Sequence, residues 1–327
     1  MSPLSASQEL GARALGRRVE AAVRTRIVGQ DRVMERLLVA LLAGGHVLLE
    51  GVPGLAKTLM VRSLADALDV DFKRIQFTPD LLPSDVVGSL VFRPDRGAFE
   101  PSKGPVFANV VLADELNRAP AKVQSALLEA MQEGQVTLGG LPLALPSPFM
   151  VLATENPIEQ QGTYPLAEAQ LDRFLMMLRL DYPDPSEERR ILRAAADGPM
   201  KGIDPVAAAS DLLRARAEVE SVRVEDALVA YVVELVRATR NPASVGLPDL
   251  EGLIEFGASP RAGIGLISAA RALAFLRDRD YAVPDDVKDL APDVLRHRIV
   301  LTYEAMARAV DVDALVESIL ATVPVPK

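Results

Sequence analysis

Short apolar runs alternate with stretches of helical periodicity through the first half of the chain. The runs are HVLLE, DFKRIQF, ANVVLAD, PFMVLAT and FLMMLRL, and an amphipathic segment at about residues 6–24 precedes them. In the intervening segment PAKVQSALLEAMQEGQ, four apolar residues share one helical face: Val123, Leu127, Ala130 and Met131. Near-continuous apolar strands that alternate with helices predict a parallel sheet covered on both sides. We therefore predict an α/β core with a five-stranded parallel sheet and helices on both faces.

Two segments interrupt this alternation. GSLVFRPDRGAFEPSKGPVF contains polar, glycine-containing turns and predicts a hairpin, and GQVTLGGLPLAL predicts two strands around the turn at Gly139 and Gly140. Projecting loops of this kind often carry function. We predict that both insertions lie at the rim or pore of the working molecule.

The pattern changes after the proline-rich sequence DYPDPSEERR. From there on only helical periodicity is found, as in VEDALVAYVVELVRATR and PRAGIGLISAARALAFLRD. We predict a domain boundary near residue 183, with a core domain at residues 1–183 and an all-helical domain at residues 184–327. Ser186 is the predicted N-cap of the first helix after the boundary.

Composition narrows the possible chemistry. The 327 residues include no cysteine, which excludes disulfides and thiolate metal sites, and the two histidines, His46 and His297, are far apart in sequence. A net charge of −9 argues against a broad surface for nucleic acid, because such binding neutralises phosphates. The composition therefore favours an ordinary globular protein with packed or surface histidines.

The N-terminal sequence alternates charges with small apolar residues and has no continuous hydrophobic stretch, and the longest apolar run, LLVALLAGGHVLL, is too short to span a bilayer. We predict a cytoplasmic protein without a membrane segment.

The candidate nucleotide site is the sequence GVPGLAKT, which follows the first apolar run. It resembles the phosphate-loop pattern G-x-x-x-x-G-K-[ST], but Ala56 stands where the second glycine is usual. In such loops backbone N–H groups and a helix N-terminus face the phosphates, so Lys57 would supply positive charge and Thr58 would bind magnesium. The alternative is a structural turn between a strand and a helix. The expected nucleotide contacts are Gly51, Val52, Pro53, Gly54, Leu55, Ala56, Lys57 and Thr58.

Ala56 allows a backbone prediction. Alanine is disfavoured at positive φ, whereas glycine adopts it freely. We predict that Ala56 lies in the right-handed region as the helix begins and that Gly51 and Gly54 take the unusual angles.

Two later strands end in polar residues. NVVLADELNR ends in Asp114 and Glu115, where one carboxylate would hold the magnesium shell and the next would orient an attacking water. VLATENP ends at Asn156, whose amide could hydrogen-bond both the water and the terminal phosphate. Helix capping by the acidic pair and a simple Asn-Pro turn are the structural alternatives.

Two arginines complete the candidate set. Arg173 lies just before the fifth apolar run, and Arg261 lies in the first turn of a helix that Ser259 caps and Pro260 enters. Either could stabilise charge on a transferring phosphoryl group, although a surface ion pair is the ordinary role of an arginine.

Taken together, these motifs resemble those of one family. IVGQ, GVPGLAKT, VVLADELNRAPAKVQSALLEAMQEGQVT, LATENP, YPLAEAQLDRF and ASPRAG resemble the MoxR-type AAA+ ATPases, in order and over most of the chain. The resemblance implies an AAA+ core with two hairpin insertions, a helical lid, and ATP hydrolysis at the interfaces of a ring, with a hexamer expected.

The resemblance also implies roles for the candidate residues. Asp114 and Glu115 match the magnesium-shell acid and the catalytic base, Asn156 the sensor-1 position, and Arg261 the sensor-2 position. Arg173 matches the finger that reaches a neighbour's ATP. The residues expected near the adenine are Val28, Gly29 and Gln30.

Partners and competing functions follow from the same resemblance. Family members commonly work with von Willebrand factor A domain proteins and are described as chaperone-like, so ATP-driven remodelling of a partner is the leading hypothesis. The alternatives are the ATPase subunit of a magnesium chelatase, a nucleic-acid motor, and a nucleotide-dependent switch without turnover. Sparse aromatic residues disfavour the nucleic-acid motor, and Glu115 disfavours the switch.

Overall fold

A computed structural model describes residues 13–52, 54–155, 163–196, 198 and 202–326. The chain divides into two compact units, each built from several segments. The first comprises Met1–Leu38, His46–Leu166 and Leu178–Ala215, and the second comprises Val39–Gly45, Ala167–Met177 and Arg216–Lys327. Because both units are discontinuous in sequence, the boundary near residue 183 stays a prediction.

A five-stranded sheet is the centre of the α/β region. The strands and helices up to residue 215, excluding those of the hairpins, are α1 (Ala14–Val23), α2 (Asp31–Leu42), β1 (Val47–Glu50), α3 (Lys57–Ala67), β2 (Phe72–Gln76), α4 (Pro83–Val87), β5 (Val110–Asp114), α5 (Ala121–Glu133), β8 (Met150–Glu155), α6 (Glu168–Leu171), β9 (Met176–Arg179), α7 (Pro185–Ala196) and the first part of α8 (Ala209–Glu220). The sheet order is β2-β5-β8-β1-β9. Strands β2 and β5, β5 and β8, and β8 and β1 pair in parallel, and the predicted parallel sheet is confirmed.

The central strands of the sheet are buried, and this explains their nearly continuous apolar sequences. In the three central strands β1, β5 and β8, all residues except the last of each strand are buried. Strand β2 lies at the edge of the sheet, and only Ile75 is buried in it. An edge strand leaves polar side chains accessible, and one of them, Arg74, reaches Asp114 at the end of β5.

Both predicted hairpins are present. The first joins β3 (Gly88–Arg93) to β4 (Ala98–Lys103), and the second joins β6 (Gln135–Leu138) to β7 (Leu141–Ala144). Gly139 and Gly140 both have positive φ, as a tight hairpin turn requires. In the first hairpin Phe92 and Phe99 are exposed, with ring centroids 5.3 Å apart.

The second unit is mainly helical. Its remaining elements are α9 (Asp226–Ala238), β10 (Ile254–Phe256), α10 (Pro260–Leu276), α11 (Pro284–Leu295), β11 (Val300–Leu301), α12 (Tyr303–Ala307) and α13 (Val312–Thr322). The antiparallel pair β10 and β11 is a small sheet that helical periodicity did not predict. Short 3-10 helices occur at Leu116–Arg118, Pro242–Val245, Pro248–Leu250 and Arg296–Arg298.

One of the two predicted helix caps is confirmed. The Ser259 hydroxyl accepts a hydrogen bond from the Arg261 backbone N–H at 3.1 Å and caps α10. The prediction for Ser186 is wrong, because α7 begins at Pro185 and Ser186 lies inside it. Asp184 caps this helix, and its carboxylate accepts from the N–H groups of Ser186 and Glu187 at 2.7 and 3.0 Å. Asp184 stands just before the helix, so its carboxylate can accept from the first free N–H groups, whereas Ser186 is already part of the first turn.

Within the part of the chain that the structure describes, no helix combines the length and the apolarity needed to cross a membrane.

Candidate functional site

The predicted phosphate loop joins the buried strand β1 to helix α3, which begins at Lys57. Gly54 has the predicted positive φ, at 91°. Gly51 does not, so that prediction is wrong. Its lack of a side chain serves close packing instead, since a Cβ there would lie 3.1 Å from the Leu180 carbonyl oxygen. Pro53 lies outside the described residues.

The backbone prediction for Ala56 is also wrong. Ala56 has φ 53° and ψ 23°, in the left-handed region. It stands at the N-cap of α3, and its carbonyl accepts the Met60 N–H at 2.9 Å, which is the first turn of the helix. The backbone therefore changes from the left-handed region at Ala56 to the right-handed helical region at Lys57. A left-handed alanine costs about 1–2 kcal/mol, and such strain is concentrated at functional sites.

Lys57 is half-buried at the mouth of the loop. Its ammonium donates a hydrogen bond to the Gly51 carbonyl oxygen. Burial lowers the pKa of Lys57, and the nearby Asp114, Glu115 and Glu50 carboxylates oppose that shift. The ammonium is thus desolvated and surrounded by acids, where a phosphate would be a strong additional partner.

The acidic pair at the end of β5 is oriented by a buried threonine of the neighbouring strand. The Thr154 hydroxyl donates to Asp114 Oδ1 at 2.7 Å and accepts the Glu115 backbone N–H at 2.8 Å. Thr154 is 2% exposed. Because Ala113 and Ala153 are register partners, the residues that follow them meet at the same edge of the sheet. Thr154 therefore fixes the carboxylate of one acid and the backbone of the other.

Each member of the acidic pair also contacts an arginine. Arg74 on β2 donates to Asp114 Oδ2 from Nη2 at 2.5 Å and from Nε at 3.0 Å. Arg118 donates to Glu115 Oε2 at 2.9 Å. Sequence reasoning missed Arg74 and Thr154. The available signal was a basic residue inside a strand beside the acidic strand end.

These residues line one cavity of about 430 Å³. Its lining residues are Gly51, Gly54, Leu55, Ala56, Lys57, Thr58, Leu59, Arg74, Asp114, Glu115, Thr154 and Glu155. The cavity brings together the predicted phosphate loop, the lysine, the threonine and both acids. Asn156, the predicted sensor, directly follows Glu155 but lies outside the described residues.

Glu155 is a partly buried acid of this cavity. It is the register partner of Glu50 across β8 and β1. Burial raises the pKa of Glu155 to about 7, and the Glu50 charge contributes to the rise. Glu50 itself forms an ion pair with Arg179 at 3.0 Å. Glu155 is therefore a carboxyl of the cavity that is partly protonated near neutral pH.

The segment predicted to lie near the adenine has an unusual backbone. Gly29 and Gln30 both have positive φ, at 73° and 59°. The Gln30 amide donates to the Asp181 carbonyl oxygen at 3.0 Å, and a Cβ at Gly29 would collide with the Glu187 carboxylate. Neither these two residues nor Val28 lines the cavity. The adenine assignment stays a prediction.

The two predicted arginines belong to the second unit. Arg173 is exposed and follows the short helix α6. Arg261 lies in the first turn of α10, with Nη1 3.8 Å from Asp172 Oδ2. Arg261 thus lies near Asp172, which directly precedes Arg173 in sequence, and the roles of both arginines toward a nucleotide stay predictions.

Both histidines hydrogen-bond to backbone groups. His46 Nδ1 accepts the Val151 N–H at 3.0 Å, and its Nε2 lies 3.1 Å from the Met131 carbonyl oxygen. His297 Nε2 donates to the Phe174 carbonyl oxygen at 3.0 Å.

Comparison with known proteins assigns this site to a class. The family described as "ATPase family associated with various cellular activities (AAA)" matches residues 46–176, and its lid domain matches residues 250–319. The first match contains the loop and the acidic pair. The chain is therefore an AAA+ ATPase, a nucleotide-binding protein that hydrolyses ATP.

Full-length relatives narrow the class to a family. Chaperone MoxR1 of Mycobacterium tuberculosis is 52% identical, over 92% of this chain and 80% of its own length. Protein YeaC of Bacillus subtilis is 48% identical over 95% of both chains. A crystal structure from Cytophaga hutchinsonii has 48% identity and a TM-score of 0.92, covering 97% of this chain and 96% of its own. The chain belongs to the MoxR-type AAA+ ATPases.

Proposed function

We propose that this ATPase works as an oligomeric ring that uses Mg²⁺-ATP to remodel a partner protein. The orientation of Asp114 and Glu115 by the buried Thr154 hydroxyl carries the proposal, because it fixes two acids with separate roles beside the phosphate loop. A nucleotide switch without turnover would not need the second acid.

Magnesium fits the oxygen donors of the cavity. Thr58 and Asp114 both line it, and Mg²⁺ in phosphate-transfer sites is typically held by one or two protein oxygens together with substrate phosphates and waters. No cluster of three histidine, cysteine or acidic residues occurs among the described residues, and this kind of site requires none. When bound, the ion would neutralise charge on the phosphates.

Hydrolysis uses the remaining residues of the cavity. Lys57 exchanges the Gly51 carbonyl oxygen for phosphate oxygens, and Glu115 accepts a proton from the attacking water. The water oxygen bonds to the γ-phosphorus while the bond to the β-γ bridging oxygen breaks, releasing ADP and phosphate. Glu115 must leave Arg118 to act as this base, so the ion pair of 2.9 Å represents a resting arrangement.

Assembly into a ring, with a hexamer as the expected size, completes the site in this proposal. Arg173 would reach the ATP of the neighbouring subunit, and Arg261 would contact the terminal phosphate as the lid moves. Asn156 would orient the water. The exposure of Arg173 supports a contact with a neighbouring subunit.

Partner remodelling is supported by the relatives. The Mycobacterium tuberculosis relative is named a chaperone, and it covers most of this chain. A protein with a von Willebrand factor A domain is the expected partner. The exposed aromatic pair Phe92 and Phe99 on the first hairpin offers an apolar surface for such a contact.

The variant Glu115→Gln tests the proposal. Removing the base while keeping its size should lower the ATP hydrolysis rate by about 100-fold or more, with ATP affinity nearly unchanged. With ATP, light scattering should show a trapped assembly several times the 35.1 kDa subunit mass, which affinity capture can then examine for a bound partner.

The matched control is Glu129→Gln, which changes an exposed glutamate of α5 outside the cavity. It should hydrolyse ATP at the wild-type rate. Wild-type turnover by Glu115→Gln would refute the assignment of the base, and a monomer under all nucleotide conditions would refute the ring.

A further inference from the structure

One carboxylate in the second unit joins the segment of Arg173 to the helix of Arg261. Asp172 Oδ1 accepts a hydrogen bond from Arg298 Nε at 2.7 Å. Its other oxygen, Oδ2, accepts from the Ser259 hydroxyl at 2.9 Å and lies 3.8 Å from Arg261 Nη1. Asp172 therefore has two arginine partners that approach it from different sides.

Arg298 is the fixed partner. Its side chain is 4% exposed. It also donates to the carbonyl oxygens of Phe174 and Leu175 at 2.6 and 3.1 Å, and lies 3.3 Å from that of Asp172 itself. These bonds hold the backbone on both sides of Arg173. Arg173 thus belongs to a segment whose backbone Arg298 holds in place.

Arg261 is the loosely held partner. Its side chain is 55% exposed, and its separation of 3.8 Å from Asp172 exceeds hydrogen-bond distance. The Ser259 hydroxyl accepts the Arg261 backbone N–H and donates to Asp172, so the start of α10 is tied to the same carboxylate. The guanidinium is able to leave while the helix start stays bound.

We propose that Asp172 is a positioning residue that couples the nucleotide contact of Arg261 to the placement of Arg173. The proposal rests on the roles given to these arginines above. When Arg261 turns toward a terminal phosphate, Asp172 loses a counter-charge at Oδ2, while Arg298 and Ser259 keep hold of it. The change in charge acts directly on the backbone that carries Arg173.

Mixed assemblies separate this proposal from the function on which it rests. Lys57→Ala removes the phosphate contact but keeps Arg173, and Arg173→Ala does the reverse. Each should be inactive alone, and mixing them should restore hydrolysis at the sites of the Arg173→Ala subunits. Failure to restore it would refute the action of Arg173 on a neighbouring site, and the coupling with it.

The second arm tests Asp172 alone. The double variant Lys57→Ala, Asp172→Asn serves as the donor of Arg173, so its own nucleotide site makes no contribution. We expect the restored kcat to fall by about tenfold, because the charge-assisted bond that positions Arg173 is weakened. The KM of the acceptor for ATP and co-purification of tagged donor with acceptor should stay unchanged. Restoration equal to that of the Lys57→Ala donor would overturn the proposal.

Further donors control for charge and folding. In the Lys57→Ala background, Asp280→Asn removes an exposed acid of the same unit, 3.9 Å from Arg223, and should restore hydrolysis fully. Should Asp172→Asn fail to fold by circular dichroism, Ser259→Ala decides, because it removes one bond to Asp172 and leaves Arg298 in place. Ser259→Ala should lower the restored kcat and Ser259→Thr should not. Equal kcat values for these two donors would overturn the coupling.

Discussion

At the scale of single residues, Ala56 shows that the loop accepts strain where the general pattern has glycine. Its left-handed backbone is followed at once by helix α3 and by Lys57. The side chain is exposed, so no packing contact explains the choice of alanine. The stiffer backbone of alanine restricts the loop more than glycine would.

We expect Ala56→Gly to leave stability unchanged or raise it by up to about 1 kcal/mol. Relief of the left-handed strain offsets the greater chain entropy of glycine in the unfolded state. The free energy of unfolding, measured in urea, checks this. Ala217→Gly is the control, since Ala217 is an exposed residue of helix α8, and it should cost about 1 kcal/mol. Equal losses for both variants would contradict a strained Ala56.

At the scale of elements, the site is made where parallel strands end side by side. Strand β5 supplies Asp114, and β8 supplies Thr154, which lies 40 positions later in the chain. The register between the two strands places the hydroxyl between the carboxylate and the backbone N–H of Glu115. The orientation of the acids therefore depends on strand pairing as well as on the acidic motif.

Thr154→Val should separate this orientation from packing. Valine keeps the shape but leaves the Glu115 N–H without its partner, so we expect a loss of about 1–3 kcal/mol in stability and about tenfold in kcat. Thr154→Ser keeps the hydroxyl and should restore most of kcat. Urea unfolding and steady-state ATP hydrolysis are the measurements, and a Val variant with the kcat of the Ser variant would argue against the hydroxyl relay.

At the scale of the whole molecule, the partly buried Glu155 and the buried His297 give the stability opposite dependences on pH. Glu155 has its pKa raised from 4.5 to about 7, so its stabilising protonated form is lost as pH rises through that window. Burial and the neighbouring Arg298 lower the pKa of His297 well below 6.5, so stability is lost as pH falls below about 6.5. The two effects partly cancel in mildly acidic solution.

Glu155→Gln should expose one of these effects. Glutamine stays neutral, so the variant should gain stability relative to wild type as pH rises from 4.5 to 8, by at most about 3 kcal/mol. His297 is common to both proteins and cancels in the difference. Urea unfolding of nucleotide-free protein at several pH values measures it. A difference that does not change with pH would show that Glu155 ionises as it does in water.

The predictions that succeeded concern patterns local to the chain. Buried strands such as VVLAD, the turn at Gly139 and Gly140, and the cap at Ser259 each depend on a few consecutive residues. The predictions that failed concern the backbone angles of Ala56 and Gly51 and the N-cap at Ser186. Ala56 takes the left-handed conformation and Gly51 does not, and Gly51 instead packs against Leu180, which is remote in sequence. Local propensity contains no information about such a neighbour.

The sequence by itself determined the order of the elements, the class of the site and the residues of the phosphate loop and acidic pair, because periodicity and short motifs are local properties. The tertiary structure alone decided which distant side chains contact these residues. Thr154 and Arg74 reach Asp114 through the pairing of strands, and Arg298 reaches Asp172 across 126 positions of the chain. Those contacts arise only when folding closes long loops, and their chemistry depends on the burial that folding creates.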